Sequence, residues 1–169
     1  MALNQVLFLG LRTVHVLSGV FWVGVAFVVT GFVEPTARRL KGEGQRFLQV
    51  LMLQSRLRQW IMAAAWTAVL SGIVLYSSDA HYGWVFTPYG VAVTIGGIAA
   101  VAALGVGMGV LRVVADRMAE LGKEIQRTGR PPSEAQGQQM AALQQKMHWA
   151  SRVEVVLFIV VLVGMALGA

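Results

Sequence analysis

Four long apolar stretches constrain the fold of this chain more than any other feature of its sequence. They cover residues 6–33, 60–76, 89–111 and 149–167. A helix needs about 20 mostly apolar residues to cross a bilayer. Only 13% of the residues are charged, against about a quarter in an average soluble domain. The stretches therefore predict an all-α protein with four membrane-spanning helices. We expect a single domain over residues 1–169, with the lipid bilayer as its first partner.

The basic residues lie mostly in two of the three connections between these stretches. The first connection carries Arg38, Arg39, Lys41, Arg46, Arg56 and Arg58, and the third carries Arg112, Arg117, Lys123, Arg127, Arg130 and Lys146. The second connection, residues 77–88, carries none. Because lysine and arginine stay on the cytoplasmic side, we expect an up-down four-helix bundle in a bacterial inner (plasma) membrane, with both termini and the 77–88 loop outside. The clustered basic residues that give the pI near 10.5 are then expected to set the orientation of the protein and to contact anionic lipid. No nucleic-acid partner is expected.

Two local signals concern the first connection. The first helix is expected to end at Glu34-Pro35, because proline disfavours the helical conformation of the residue before it. Residues 43–60 show an amphipathic pattern, which predicts a helix that leads into the second span and lies on the membrane surface.

The third and fourth stretches are predicted to extend beyond the bilayer as one long helical hairpin in the cytoplasm. Apolar residues recur every three or four positions over residues 111–125, which is a helical period. Gly129, followed by two prolines, is a typical helix end. Ser133 and Gln136 have the spacing of a capping box and predict the start of the next helix.

Arg12 and His15 lie inside the first apolar stretch, where an ionisable side chain costs roughly 2.5–3.5 kcal/mol on insertion scales. They are three residues apart and therefore share a helix face, which Gly19 and Trp22 continue. Such a face suits a haem b. His15 would ligate the iron, Arg12 would pair with a propionate, Gly19 would leave space and Trp22 would pack on the macrocycle.

A simpler interpretation of His15 also fits the sequence. Polar side chains in membrane helices often hydrogen-bond across a helix interface. In that case His15 would be an interhelical histidine with Ser18, Ser71 or Thr67 as its partner.

Other candidate ligands are less well placed. His81, in the predicted outer loop, is on the same side as His15, so the two together are candidates for binding copper; a solvated loop histidine is the alternative. His148 starts the fourth span, roughly 15–20 Å in depth from His15, too far to share one iron. Met108 is expected to be a packing residue.

Three further features lie in the spans. Glu154 lies one turn inside the fourth span and cannot easily reach the surface, so it would need a partner. We expect a structural ion pair with Arg58 or Arg112 in preference to a proton relay. Gly105 and Gly109 form a GxxxG, which is typical of helix contact or of clearance for a cofactor. The sequence has no nucleotide-binding loop, no zinc-protease motif, no serine nucleophile elbow and no evident pair of membrane carboxylates. Whether the protein is an enzyme stays open.

The first helix resembles that of CopD-type copper-resistance and HemJ-type haem-associated membrane proteins. The residues that carry the likeness are His15, Trp22 and Gly24, followed by Pro35 and Arg38-Arg39. An uncharacterised bacterial four-helix family in that neighbourhood is similar over most of the chain, through SGIVLY in the second helix, Trp84 in the outer loop and KMHWASR before the fourth. The resemblance implies that His15 is a haem or copper ligand. The resemblance to HemJ-type proteins also implies a functional lysine in a later helix. The third span of this chain has no lysine before its cytoplasmic extension, and this departure counts against porphyrinogen oxidation as the activity.

The sequence thus leaves three functions open. The first is a small b-type haem protein for electron transfer or haem handling. The second is a CopD-like copper-handling protein that binds metal through His15 and His81. The third is a cofactor-free accessory subunit that packs against a larger membrane complex, or against copies of itself, through its glycine faces and its hairpin.

Overall fold

The computed structural model describes residues 2–78 and 82–168, which form helices and short connections without a strand. The α-helices are α1 (Ala2–Val28), α2 (Glu34–Arg39), α3 (Lys41–Gln49), α4 (Leu57–Ser78), α5 (Pro88–Val106), α6 (Arg112–Thr128) and α7 (Glu134–Leu167). Three π-helical turns, Val29–Val33, Val50–Gln54 and Gly107–Leu111, and one 3₁₀ turn, Tyr82–Phe86, lie between them.

Within the described residues, four continuous helical runs are long and apolar enough to cross a membrane. They are Asn4–Arg39, Leu57–Ser78, Pro88–Thr128 and Glu134–Leu167. Each contains one of the four apolar stretches in the sequence, so the prediction of an all-α protein with four apolar helices is confirmed.

The prediction that the first helix ends at Glu34-Pro35 is wrong, because the helix continues to Arg39. The Val29–Val33 segment is π-helical, and the Glu34 N–H donates to the Val29 carbonyl instead of to Thr30. This wider turn places Pro35 in the first turn of α2, where its missing N–H removes no intrahelical bond. The chain then turns at Leu40, and Gly44 of α3 packs against the backbone of Ala37.

The predicted lead-in to the second span is helical but interrupted. Ser55 has an extended backbone, with ψ of 164°. Its hydroxyl accepts a hydrogen bond from the Leu57 N–H at 3.1 Å, which caps the start of α4. The amphipathic helix α3 is therefore a separate element, joined to α4 by a break.

The long hairpin has the predicted form. Helix α6 ends at Gly129, whose φ of +57° is left-handed. The Gln136 N–H donates to the Ser133 hydroxyl at 3.3 Å, and the Ser133 N–H donates to the Gln136 side chain at 3.0 Å. Both bonds of the capping box are thus present at the start of α7.

The hairpin turn allows a matched pair of glycine substitutions. Gly129→Ala is expected to lower the free energy of unfolding by about 1–2 kcal/mol, because an L side chain disfavours the left-handed conformation. Gly122→Ala, in α6 with open space around it, should instead raise it by about 0.5–1 kcal/mol. Thermal unfolding in detergent measures both. Equal shifts of the same sign would contradict this assignment of the turn.

The four helices meet in a core that lies around Trp22 and Phe158. Their rings pack edge to face with centroids 5.0 Å apart. Helix α1 pairs with α4, and α5 pairs with α7. The two pairs are joined by this core and, nearer the 82–88 turn, by a 2.7 Å hydrogen bond between the hydroxyls of Tyr76 and Thr94. The core residues are Trp22, Val23, Ala65, Ala68, Val69, Ala103, Leu104 and Phe158.

Glycine contact between helices occurs where the GxxxG does not predict it. A Cβ added to Gly164 of α7 would lie 2.9 Å from Cα of Gly96 and 2.6 Å from the Ala92 carbonyl oxygen of α5. A Cβ added to Gly105 or Gly109 would meet no atom within 4 Å in the described part of the chain. The GxxxG of Gly105 and Gly109 therefore marks a smooth face of the third helical run. The face of this run that packs against α7 is a different one, which carries Gly96.

Candidate functional site

His15 is the centre of the candidate site, and helix α4 holds its ring. The Nδ1 atom lies 2.8 Å from the Ala68 carbonyl oxygen and 3.3 Å from the Ser71 hydroxyl. A carbonyl oxygen only accepts, so Nδ1 carries the proton and donates it to Ala68. In the neutral ring this leaves Nε2 with the lone pair. Among the described residues, the hydrogen bonds of the His15 ring all involve Nδ1.

Gly72 allows this contact to form. A Cβ at that position would lie 2.8 Å from His15 Cε1 and 3.2 Å from Nδ1. Glycine therefore lets the imidazole lie against the backbone of α4. Gly72 lies one turn after Ala68, whose carbonyl accepts the hydrogen bond from His15. We call Ala68, Ser71 and Gly72 the His15-binding segment.

The interhelical contact of His15 was predictable only in part. Of the three partners that the sequence suggested, Ser71 is confirmed. The Ser18 hydroxyl donates within its own helix, to Val14 at 2.7 Å and to His15 at 3.1 Å. The main acceptor is a backbone carbonyl, which no side-chain pattern identifies. The serine-glycine pair of SGIVLY was the available signal for Gly72.

Arg12 and Gly19 flank His15 on α1 by one turn on either side. Arg12 is exposed, and it forms no hydrogen bond or ion pair with the rest of the described chain. A Cβ at Gly19 would meet no described atom within 4 Å. The face around His15 thus offers a cation on one side and open space on the other.

Trp22 lies two turns from His15 and belongs to the core. Its side chain is only 5% exposed and packs edge-on against Phe158. Its burial comes from contacts within the bundle, so Trp22 anchors α1 to the core two turns along the face that also carries His15.

The other candidate ligands do not gather around His15 in the described residues. His148 accepts a hydrogen bond from Arg38 of α2 at 3.1 Å, at the far end of the first helical run from His15. Met108 packs against the core. His81 lies outside the described residues, so its predicted pairing with His15 stays a prediction. Within residues 2–78 and 82–168, no group of three or more His, Cys, Asp or Glu side chains is placed to hold a metal ion.

An apolar groove runs between α1 and α4 beside the His15 contact. The groove is open on one side and has a volume of about 460 Å³. Ser18 and Thr67 lie among its lining residues. The lining residues are Val14, Leu17, Ser18, Phe21, Trp60, Ala63, Ala64 and Thr67.

The expected ion pair of Glu154 is wrong. Arg58 binds Asp116 at 2.8 Å, and Arg112 approaches the same carboxylate at 3.9 Å. Asp116, on the hairpin, competes for both arginines because it shares one helix face with Arg112. Glu154 is 9% exposed and lies against Gly107 instead. Glu34, from the first helical run, reaches the same face of α7, so two carboxylates that the sequence analysis did not pair come together.

Comparison with known proteins adds no relative. No family model, no curated protein and no solved structure matches this chain. The likeness of its first helix to CopD-type and HemJ-type proteins therefore stays a sequence-based prediction.

Proposed function

We propose that this protein is a small membrane haem protein in which His15 would hold haem b through its imidazole. The observation that carries the proposal is the 2.8 Å contact between Nδ1 of His15 and the Ala68 carbonyl. Histidines that ligate a metal almost always donate their other ring N–H to a carbonyl or carboxylate, which fixes the tautomer and raises ligand basicity. The His15-binding segment provides this arrangement, and Nε2 is the ligand atom.

The residues near His15 fit the other needs of a haem. Arg12 is an exposed cation one turn away, and a guanidinium pairs well with a propionate carboxylate. Gly19 leaves space on the opposite side. The neighbouring groove is apolar. Trp22 takes a different role from the one that the sequence suggested, because it holds α1 in the core instead of stacking on the macrocycle.

A bound haem would supply one-electron redox chemistry. The chain would contribute the imidazole ligand, the charge of Arg12 and an apolar surround. This favours electron transfer or haem handling as the role of the protein.

We further propose the orientation and location that the basic residues predict. Both termini would face outward from a bacterial inner membrane, and the hairpin of α6 and α7 would stand in the cytoplasm. His15 would then lie in the outer half of the bilayer, and His148, Arg38 and Glu34 near its inner surface.

An optical spectrum tests the proposed function. The protein, expressed with ample haem and purified in mild detergent, should show a Soret band and sharpened bands after reduction with dithionite. Metal analysis of the same sample should find iron. A featureless spectrum with bound copper would favour the copper-handling alternative. A sample that contains neither iron nor copper would contradict both the haem function and the copper function.

An accessory subunit is the second candidate, and the exposure of the first helix favours it. Within the most apolar 18-residue window of the first helical run, 11% is buried inside the bundle. The corresponding buried shares of the second, third and fourth runs are 22%, 22% and 28%. Lipid or a membrane partner, including a second copy, would cover that surface. Co-purification of a stoichiometric partner with cofactor-free protein would support this function.

A further inference from the structure

The bundle contains a buried acidic site that is separate from His15. Glu154 lies on α7, one turn after Ser151, and both side chains are buried. The Ser151 hydroxyl donates to Oε1 of Glu34 at 3.4 Å. Since residues three apart share a helix face, Glu34 and Glu154 approach each other across Ser151. The two carboxyl groups therefore face the same buried stretch of α7.

Glu154 is the member of this site without a partner. Only 9% of its surface is exposed, and none of the hydrogen bonds or ion pairs among the described residues includes its carboxylate. Glu34, by contrast, has the hydroxyl of Ser151 and the nearby charge of Arg38. A buried carboxylate without a counter-charge is strongly disfavoured in an apolar interior.

The backbone around Glu154 is built to leave it room. Oε1 lies 3.2 Å from the position that a Cβ of Gly107 would take, so a larger residue there would crowd the carboxyl group. Gly107 begins the π-helical turn Gly107–Leu111, and a second π-helical turn, Val29–Val33, directly precedes Glu34. Turns of this kind occur often at functional sites.

We propose that Glu154 and Glu34 form a proton-binding pair that shares one proton, held mainly by Glu154. Neighbouring carboxyl groups in an apolar interior do not both ionise readily. A proton suits the site better than a metal cation, because calcium and magnesium require six or more oxygen ligands. The described residues offer two carboxyl groups and the Ser151 hydroxyl here. The pair does not depend on a bound haem.

The other charged groups around the pair are few. The π-helical turn from Gly107 has no titratable side chain, and Arg112 beyond it binds Asp116. Arg38 lies one turn beyond Glu34 and donates to His148. Arg152, on α7 itself, is exposed. None of these forms an ion pair with Glu154, so Glu34 is the group expected to control its proton.

Labelling with dicyclohexylcarbodiimide, an apolar reagent that reacts with protonated carboxyl groups, tests the pair. We expect peptide mass mapping of the detergent-purified protein to find the label on Glu154, with a yield that falls as the pH rises. Glu154→Gln should abolish it. Glu34→Gln should move the loss of labelling to lower pH, because the neighbouring negative charge is gone. Glu124→Gln, on the exposed face of α6, is the control and should leave the profile unchanged.

Infrared spectroscopy gives a second measurement that needs no reagent. A carboxylic-acid carbonyl band should be present in the wild-type protein and absent from Glu154→Gln. Absence of both the band and the label would overturn the proposal. A labelling profile that Glu34→Gln does not move would overturn the pairing. Protection of Glu154 by sodium, but not by choline at the same pH, would assign the site to a metal cation and overturn the proton.

Discussion

A His15→Ala variant is expected to purify without the Soret band that we predict for the wild-type protein. The substitution removes Nε2, the proposed ligand atom, and leaves a cavity beside Gly72. Nothing else in the described residues within reach of that point is a strong ligand for iron, because His148 lies on α7 beside Arg38 and Met108 packs against the core. The expected change is therefore a complete loss of the reduced haem bands, not a partial one.

Two matched variants show whether the loss is specific. His148→Ala removes a histidine of α7 that lies far from His15, beside Arg38, and should leave the bands intact. Ser71→Ala removes the 3.3 Å contact but keeps the Ala68 carbonyl, so the bands should persist with a small shift. If His15→Ala retains the wild-type spectrum, His15 is not the ligand and its hydrogen bonds serve helix packing alone.

A Gly164→Leu variant is expected to lower the stability of the protein strongly. Gly164 brings the backbones of α7 and α5 together, and even a Cβ would lie 2.6 Å from the Ala92 carbonyl oxygen. Leucine would force the helices apart along the contact. Overpacking costs typically about 1–3 kcal/mol, and this site should reach or exceed the upper end, because backbone atoms cannot rotate away. Helix association in membranes depends on such close packing.

Gly105→Leu is the control for this prediction. It lies on the same helical run as Gly96, where an added Cβ would meet nothing within 4 Å in the described chain. Its effect on the free energy of unfolding should stay within about 0.5 kcal/mol. Unfolding in mixed detergent micelles, followed by circular dichroism, measures both variants. Equal destabilisation by Gly164→Leu and Gly105→Leu would show that the face with Gly105 is also packed, against another membrane protein or a second copy of this chain.

Features that depend on neighbouring residues in the chain were predictable from the sequence. The four apolar helices follow from composition over about 20 residues. The left-handed Gly129 and the Ser133–Gln136 capping box follow from patterns of four residues or fewer, and the structure contains both. The end of the first helix at Pro35 was predicted wrongly, since the preference of the residue before proline does not account for a π-helical turn one step earlier.

The candidate site was predictable only as a set of residue types. His15 and Arg12 stand out because charge is costly in an apolar helix, and Ser71 was a plausible partner. The Ala68 carbonyl, the clearance at Gly72 and the core position of Trp22 depend on how α1 rotates against α4. The spacing of residues within one helix does not predict how that helix rotates against its neighbour.

The sequence by itself determined four apolar helices, the turn between the last two and the presence of ionisable groups within them. Those properties arise from hydrophobicity and local backbone preference, which act over a few residues. The tertiary structure alone decided which groups meet: His15 with Ala68, Gly164 with Gly96, and Glu154 with Glu34 instead of an arginine. Such contacts join residues far apart in the chain, and they are set by the packing of whole helices against one another.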